Sequence, residues 1–147
     1  MRRILLLALA SILMTGAAAV RAEETRKAIL YKNPQCGCCE GYAGYLRGNG
    51  FEVAVKPTHD HATISKNAGV PERLQGCHSM FIDGYVIDGH VPVDIVLRLL
   101  AERPQIAGIT LPGMPAGSPG MVGTKTVPFV VYALPKGGGA PTVYAKE

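Results

Sequence analysis

Short apolar runs and amphipathic stretches follow one another along the chain from residue 27 to residue 103. Short runs of β-branched and aromatic residues favour strands, and apolar residues spaced three and four positions apart favour helices. The sequence therefore predicts strands at 27–31, 51–55, 80–82 and 85–87 and helices at 38–47, 60–67 and 92–103. Asp83-Gly84 indicates a hairpin between the third and fourth strands. The predicted order of elements is β-α-β-α-β-β-α.

Glycine, proline and methionine dominate the segment that follows, from Pro104 to Gly123. Because proline neither continues a helix nor donates to a strand ladder, we expect a long ordered loop there, with no helix and no central strand. Loops of this length in a compact domain are usually functional or disordered. A last hairpin, with strands at 127–133 and 142–145, would complete an irregular C-terminal extension rich in Gly, Pro and Met.

The N-terminus has the pattern of a secretory signal peptide. Arg2 and Arg3 precede an apolar run, and small residues lead to Ala22. Cleavage after Ala22 or after Ala19 fits this pattern, and the run is shorter than the roughly 20 residues that a membrane-spanning helix needs. We therefore expect a signal peptide at 1–22, a domain at 23–103 and an extension at 104–147 packed on that domain.

The charge of the chain changes when the leader is removed. Arg2, Arg3 and Arg21 account for three of the 15 basic side chains, which leaves 12 against 11 acidic ones. The remaining chain has no basic stripe with interleaved aromatic residues, which argues against nucleic acid as a partner. It also has no stretch suited to a membrane surface, so we expect no membrane association after cleavage.

Three of the four cysteines, Cys36, Cys38 and Cys39, lie within four consecutive positions. An even number of cysteines in an exported chain is ordinarily interpreted as a disulfide framework. Here Cys38 and Cys39 could pair with each other only under strain, and three thiols compete for one distant partner, Cys77. The predicted first helical turn would favour their thiolate forms. The cluster therefore predicts a chemical site rather than structural staples.

Thiolate, imidazole and thioether are the ligands that Cu(I) selects, and the sequence supplies all three in short segments. The candidate ligands are Cys36, Cys38, Cys39, Cys77, His78, His90, Met114 and Met121. Side chains on one helical turn point around its axis, so three thiols suit bridging positions in a cluster with more than one copper ion per chain. A hydrogen-bonded loop histidine remains the alternative for His90, and a packing role remains the alternative for Met114 and Met121.

The order of elements, with a cysteine cluster where the first strand meets the first helix, resembles the thioredoxin-like fold. In that fold the loop entering the third strand lies beside the cysteine-bearing helix, so the resemblance implies that Cys77 and His78 lie next to Cys36 and Cys39. Thioredoxins have only two cysteines, and they have a cis-proline in that loop. This sequence has Cys77-His78 and the additional Cys38 instead, which argues against ordinary disulfide exchange.

Four runs of sequence resemble the CopG-type periplasmic copper proteins, a family of small exported proteins found with copper-resistance systems. The runs are Asn-Pro-Gln-Cys-Gly-Cys-Cys at 33–39, Gly-Val-Pro-Glu-Arg-Leu-Gln-Gly-Cys-His at 69–78, Asp-Gly-Tyr-Val-Ile-Asp-Gly-His-Val-Pro at 83–92 and Leu-Pro-Gly-Met-Pro-Ala-Gly-Ser-Pro-Gly-Met at 111–121. The resemblance implies a thioredoxin-like domain that binds copper. It places Cys36, Cys38, Cys39, Cys77 and His78 in the copper-binding motifs and Met114 and Met121 in a methionine-bearing loop.

The leading hypothesis is a periplasmic copper-binding protein of copper resistance with a Cu(I)-rich centre. If the copper cycles between Cu(I) and Cu(II), the protein is a copper oxidoreductase; if it only stores or passes on Cu(I), it is a binding module. The expected partners are copper ions and another periplasmic copper protein or an electron carrier. The alternative hypothesis is a thiol-disulfide oxidoreductase that uses Cys36 and Cys39 as its exchanging pair.

Overall fold

Seven strands and three helices make up the part of the chain that the structure describes. The computed structural model describes residues 25–147, so the signal peptide predicted at 1–22 lies outside the described residues. The elements are β1 (Arg26–Lys32), α1 (Gly37–Gly48), β2 (Phe51–Pro57), α2 (His61–Asn67), β3 (His78–Ile82), β4 (Tyr85–Asp88), α3 (Val93–Glu102), β5 (Ile106–Thr110), β6 (Val130–Pro135) and β7 (Thr142–Lys146). A short 3₁₀ turn, Glu72–Leu74, lies between α2 and β3. The order up to α3 is the predicted one, which confirms the α/β class and is compatible with a thioredoxin-like arrangement.

All seven strands belong to one sheet, in the order β2-β1-β3-β4-β5-β6-β7. β1 is parallel to β2 and β4 is parallel to β5, and the other neighbouring pairs are antiparallel. Lys32, the last residue of β1, pairs with His78, the first residue of β3. Because α1 follows β1 closely and Cys77 precedes β3 directly, this pairing brings the two cysteine-bearing segments together.

Different elements pack on the two faces of the sheet. Each strand contributes to both faces, because successive residues of a strand point to opposite faces. On one face, side chains of α1 and α3 pack on the strands in the main core, which includes Leu30, Tyr42, Leu46, Met80, Ile87, Val96, Leu99, Ile109 and Val131. On the other face a smaller cluster joins Val86 and Leu134 to the residues after α2, Val70 and Leu74. The start of α1, which carries the cysteines, therefore lies on the face of the sheet that has the larger core.

The expectation of a loop throughout 104–123 is wrong for its first part, because β5 is a central strand between β4 and β6. Pro104 ends the preceding helical region, and the next residues contain two isoleucines and a threonine, which suit a strand. Gly108 allows the close approach of β5 to β4, since a Cβ atom there would clash with the Val86 carbonyl oxygen. The abundance of glycine and proline around this short strand concealed its pattern.

The final hairpin is present as β6 and β7, and its pairing is extended by two backbone hydrogen bonds between Phe129 and Glu147. Residues 111–129 form an irregular loop, as the sequence predicts for 111–123, with turns closed by bonds such as Ser118 N–H to the Pro115 carbonyl oxygen, 3.1 Å. The strand predicted from residue 127 begins only at Val130. Within residues 25–147, every helix is too short or too polar to cross a membrane.

Candidate metal centre

The turn from Asn33 to Cys36 delivers the first cysteine to the start of α1. The Cys36 amide donates to the Asn33 carbonyl oxygen at 3.0 Å, and the Gln35 amide donates to the Asn33 side-chain oxygen at 3.0 Å. Cys36 occupies the N-cap position of α1 in an extended backbone conformation. Cys38 and Cys39 consequently lie in the first turn, as the sequence predicts.

Lys32 lies beneath this turn and is almost fully buried. Its ammonium group contacts the carbonyl oxygens of Asn33, Pro34 and Cys36, each at 3.3 Å, and the Glu40 carboxylate at 3.0 Å. A buried ammonium group is costly unless it is paired and hydrogen-bonded, and here both conditions are met. Lys32 therefore fixes the backbone of the cysteine turn from inside.

The four cysteine sulfurs form one group, with every sulfur within 4.8 Å of the others. Cys36 and Cys39 are joined by a disulfide, and Cys38 and Cys77 are free. Cys38 Sγ lies 3.4 Å from Cys36 Sγ and 3.8 Å from Cys77 Sγ, and Cys39 Sγ lies 3.4 Å from Cys77 Sγ. The disulfide was not part of the copper hypothesis, in which all four sulfurs bind as thiolates; these can bind a metal together only after Cys36 and Cys39 are reduced.

A buried carboxylate holds the segment that carries Cys77. Asp88 accepts hydrogen bonds from the Gly76 amide, from Ser65 Oγ at 2.9 Å and from Ser79 Oγ at 2.6 Å. His61 Nε2 lies 3.2 Å from Ser79 Oγ and extends the network toward the surface. Asp88 thus ties α2, β3 and β4 together directly behind Cys77. Burial raises the pKa of Asp88, and the hydrogen bonds to its charged form oppose that shift.

Two buried histidines adjoin Cys77. His90 Nε2 lies 3.0 Å from Cys77 Sγ, and His78 Nδ1 lies 3.5 Å from it. His78 Nε2 is buried and has no hydrogen-bond partner within residues 25–147. The Tyr42 ring packs on His78 with 4.6 Å between ring centroids, and its hydroxyl donates to the Val91 carbonyl oxygen at 2.9 Å. Cys77, His78 and His90 form a second group of potential ligands that shares Cys77 with the sulfur cluster.

Burial controls the protonation of this second group. It lowers the pKa of His78 well below its usual value, with a further contribution from His90, and it lowers the pKa of His90. Both imidazoles are therefore neutral at pH 7, with a lone pair available for a metal. Burial, with the nearby Cys38, raises the pKa of Cys77 to about 12. Cys77 lies outside the first helical turn, where the sequence predicts thiolates, and its thiol is protonated at neutral pH; a bound soft cation would deprotonate it.

The methionine-bearing loop packs against the start of α1 through its backbone. Gly120 lies so close to the helix that a Cβ atom there would clash with the Cys38 carbonyl oxygen and the Tyr42 amide nitrogen. One residue earlier, the Pro119 carbonyl oxygen lies 2.6 Å from His90 Nδ1. The loop thus closes over the first helical turn and orients a candidate ligand.

The two methionines take different places in this loop. Met121 directly follows Gly120 and is half-buried, whereas Met114 is 55% exposed near the other end of the loop. The structure therefore brings Cys36, Cys38, Cys39, Cys77, His78 and His90 together. The ligand roles of Met114 and Met121 stay predictions.

Sequence reasoning missed two supporting residues, Lys32 and Asp88. Lys32 follows Ala28 and Leu30 on the inward-facing side of β1, and a lysine in that register is the signal that could have revealed it. The glycine that follows Asp88 indicates a turn residue. Only the contacts with Ser65 and Ser79 show that Asp88 supports the site.

The donor atoms of this site fit a soft metal ion. Four sulfurs and two neutral imidazoles converge at the start of a helix, and all six are donors that a soft cation selects. The fold and the site together define a small α/β protein with a cysteine- and histidine-rich centre suited to metal binding.

Comparison with known proteins identifies the family. Two solved structures, copper resistance protein CopG in form 2 and in form 1, are each 34% identical to this chain and cover 84% of it. The matches cover 99% and 98% of those chains, with TM-scores of 0.78 and 0.77. The chain belongs to the CopG family of copper resistance proteins, which confirms the resemblance seen in the sequence. A family model described as a protein of unknown function, DUF411, matches residues 74–121, and no curated protein matches significantly.

Proposed function

We propose that this chain is a periplasmic copper-binding protein of copper resistance that holds a Cu(I)-rich thiolate centre. The observation that carries the proposal is the convergence of four cysteine sulfurs with two buried neutral histidines. Cu(I) prefers thiolate and imidazole ligands, and these residues supply only such donors. The leader-like sequence at 1–22 supports export, which would bring the centre to the compartment where copper resistance proteins meet incoming metal.

The number of donors supports more than one copper ion. One soft cation in a tetrahedral site takes about four ligands, and six donor atoms lie in the two overlapping groups. Cys36, Cys38, Cys39 and Cys77 would hold one ion and Cys77, His78 and His90 another, with Cys77 common to both groups. Met121, and Met114 after a movement of its exposed side chain, would complete the shell from the loop.

The protein's own residues prepare the site in two ways. Lys32 and Asp88 hold the two cysteine-bearing backbone segments, so the ligand atoms meet with little rearrangement. The Pro119 carbonyl oxygen orients His90 by accepting a hydrogen bond from Nδ1, which leaves Nε2 directed at Cys77.

Anaerobic Cu(I) titration of reduced residues 23–147, followed by metal analysis, tests this proposal. We expect more than one copper ion per wild-type chain and fewer in Cys38→Ser, because Cys38 contacts both Cys36 and Cys77. His59→Ala is the control, since this exposed histidine lies outside the cluster and its loss should leave the stoichiometry unchanged. Equal copper content in Cys38→Ser and the wild type would contradict a role for Cys38.

The Cys36–Cys39 disulfide favours a second candidate function, thiol-disulfide exchange with an external substrate. The two functions assign different roles to Cys38. An exchange enzyme that uses Cys36 and Cys39 would retain reduction of a disulfide-bonded peptide in Cys38→Ser and lose it in Cys36→Ser. The copper function predicts that Cys38→Ser loses copper whether or not such exchange occurs.

A further inference from the structure

A free thiol lies against a disulfide inside the cluster. Cys77 Sγ is 3.4 Å from Cys39 Sγ, and Cys39 is the fully buried member of the Cys36–Cys39 disulfide. Thiols in solution cannot reach a sulfur that is 0% exposed, whereas Cys77 is already next to it. Disulfide exchange begins with attack of a thiolate on a disulfide sulfur, so the spatial requirement for an internal reaction is met.

A base and its orienting group accompany this thiol. The Pro119 carbonyl oxygen can only accept a hydrogen bond, so His90 Nδ1, 2.6 Å away, carries the proton. His90 Nε2 is then the acceptor of the neutral ring, and it lies 3.0 Å from Cys77 Sγ. Cys77, His90 and Pro119 thus have the spatial arrangement of nucleophile, base and orienting group that activates thiols in enzymes.

We propose that Cys77 exchanges with the Cys36–Cys39 disulfide within the oxidised chain, with His90 as the proton acceptor. Cys77 Sγ attacks Cys39 Sγ as its proton passes to His90 Nε2, in one concerted step that needs no free Cys77 thiolate beforehand. The Cys39–Cys77 bond forms as the Cys36–Cys39 bond breaks, and its electron pair stays on Cys36 Sγ. His90 returns the proton to the Cys36 thiolate through solvent. No oxidant or reductant is consumed, and no copper is required.

The exchange changes which thiols the oxidised protein presents. Before exchange the free thiols are Cys38 and Cys77; after it they are Cys36 and Cys38, which lie 3.4 Å apart in the same turn. Both are partly exposed, whereas Cys39 stays buried in either disulfide. The exchange thereby replaces the Cys38–Cys77 thiol pair, whose sulfurs lie 3.8 Å apart, with a Cys36–Cys38 pair in one turn, which suits capture of a soft metal ion.

Thiol trapping tests the exchange in metal-free protein. The test uses Cys38→Ser, in which only Cys36, Cys39 and Cys77 can form disulfides. After oxidation with diamide at neutral pH, N-ethylmaleimide is added and the linked and labelled peptides are mapped by mass spectrometry. We expect chains labelled at Cys36 that carry a Cys39–Cys77 disulfide, because labelling traps the exchanged form. Labelling of Cys77 alone, with only the Cys36–Cys39 disulfide, would overturn the proposal.

Two further variants separate the roles of the residues. In Cys36→Ser/Cys38→Ser, diamide should link Cys39 to Cys77. If this variant stays unlinked although circular dichroism shows that it is folded, the proposal would also be overturned. In His90→Gln/Cys38→Ser, the rate at which Cys36 becomes labelled should fall about 100-fold, since a general base is lost. An unchanged rate would refute the role of His90. Copper loading is not measured, so failure here would leave the proposed copper function to its own test.

Discussion

The side chain of Lys32 links the register of β1 to the shape of the cysteine turn. It lies on the inward-facing side of the strand, where Ala28 and Leu30 are apolar core residues. Its ammonium group reaches three carbonyl oxygens of the turn and the Glu40 carboxylate, which lies in the first turn of α1. At the scale of single residues, the candidate centre therefore depends on groups that bind no metal.

Lys32→Met tests this dependence. Methionine keeps a similar length of side chain but removes the hydrogen bonds to the turn, so we expect the free energy of unfolding to fall by about 1–3 kcal/mol. Chemical denaturation of the metal-free protein, followed by circular dichroism, would measure the change.

Glu40→Gln is the matched control for Lys32→Met. Glutamine keeps an acceptor oxygen for the buried Lys32 ammonium, and the three carbonyl oxygens of the turn still bond it, so we expect a smaller loss than for Lys32→Met. A larger loss for Glu40→Gln than for Lys32→Met would show that the ion pair, rather than the bonds to the turn, holds the loop.

The start of α1 and the methionine-bearing loop meet through two glycines. Gly41 and Gly120 face each other, and a Cβ atom on Gly41 would lie 3.0 Å from the Gly120 carbonyl oxygen. Gly120 also has a φ of +81°, a left-handed conformation that glycine adopts without strain. Contact between these elements places Pro119 against His90, so the helix and the loop orient the ligand jointly.

Gly120→Ala should separate the loop from the helix. Alanine combines the cost of a positive φ with a clash against the backbone of α1, so we expect a loss of about 2–4 kcal/mol in the free energy of unfolding. We also expect weaker Cu(I) binding in a competition titration, since His90 loses its orienting bond to Pro119.

Gly137→Ala isolates the steric contribution. Gly137, in the turn between β6 and β7, also has a positive φ, +77°, but a Cβ placed there meets no atom of a neighbouring residue within 4 Å. We expect a loss of only about 1–2 kcal/mol and unchanged copper affinity. Equal effects of the two substitutions on copper affinity would exclude the packing of the loop on α1 as the cause.

At the scale of the whole molecule, the C-terminal segment contributes three strands to the sheet. β5 pairs with β4 at the centre, and β6 and β7 continue from it to the edge. Ile109, Leu111, Phe129 and Val131 are buried in the main core with residues of α1 and α3. The element order β-α-β-α-β-β-α is thus part of a larger sheet in this chain.

Truncation after Arg103 tests whether residues 23–103 fold without this segment. We expect no cooperative thermal unfolding by circular dichroism, because β4 would become an exposed edge and the core would lose the apolar side chains of β5 and β6. Truncation after Pro135 is the control: β7 is largely exposed, so this chain should fold with a lower melting temperature. Cooperative unfolding of residues 23–103 would instead show an independent domain.

The sequence predicted the first seven elements because their signals are local: apolar periodicity, the Asp83-Gly84 turn and the Gly residues after the first helix. It did not predict β5, which is short and depends on Gly108 for its approach to Val86. The ligand types were evident from Cys36, Cys38 and Cys39. The pairing of Cys36 with Cys39 belonged to the alternative hypothesis alone, since the spacing of the thiols leaves several pairings open.

What the sequence determined by itself was the kind of chemistry and the order of elements, since residue types set ligand softness and local spacing sets helix and strand periods. Only the tertiary structure decided which groups meet. The pairing of Lys32 with His78 places Cys77 against Cys39, and the contact of Gly120 with α1 places Pro119 against His90. These contacts join residues that are far apart in the chain, so strand register and packing, which local patterns do not encode, decided them.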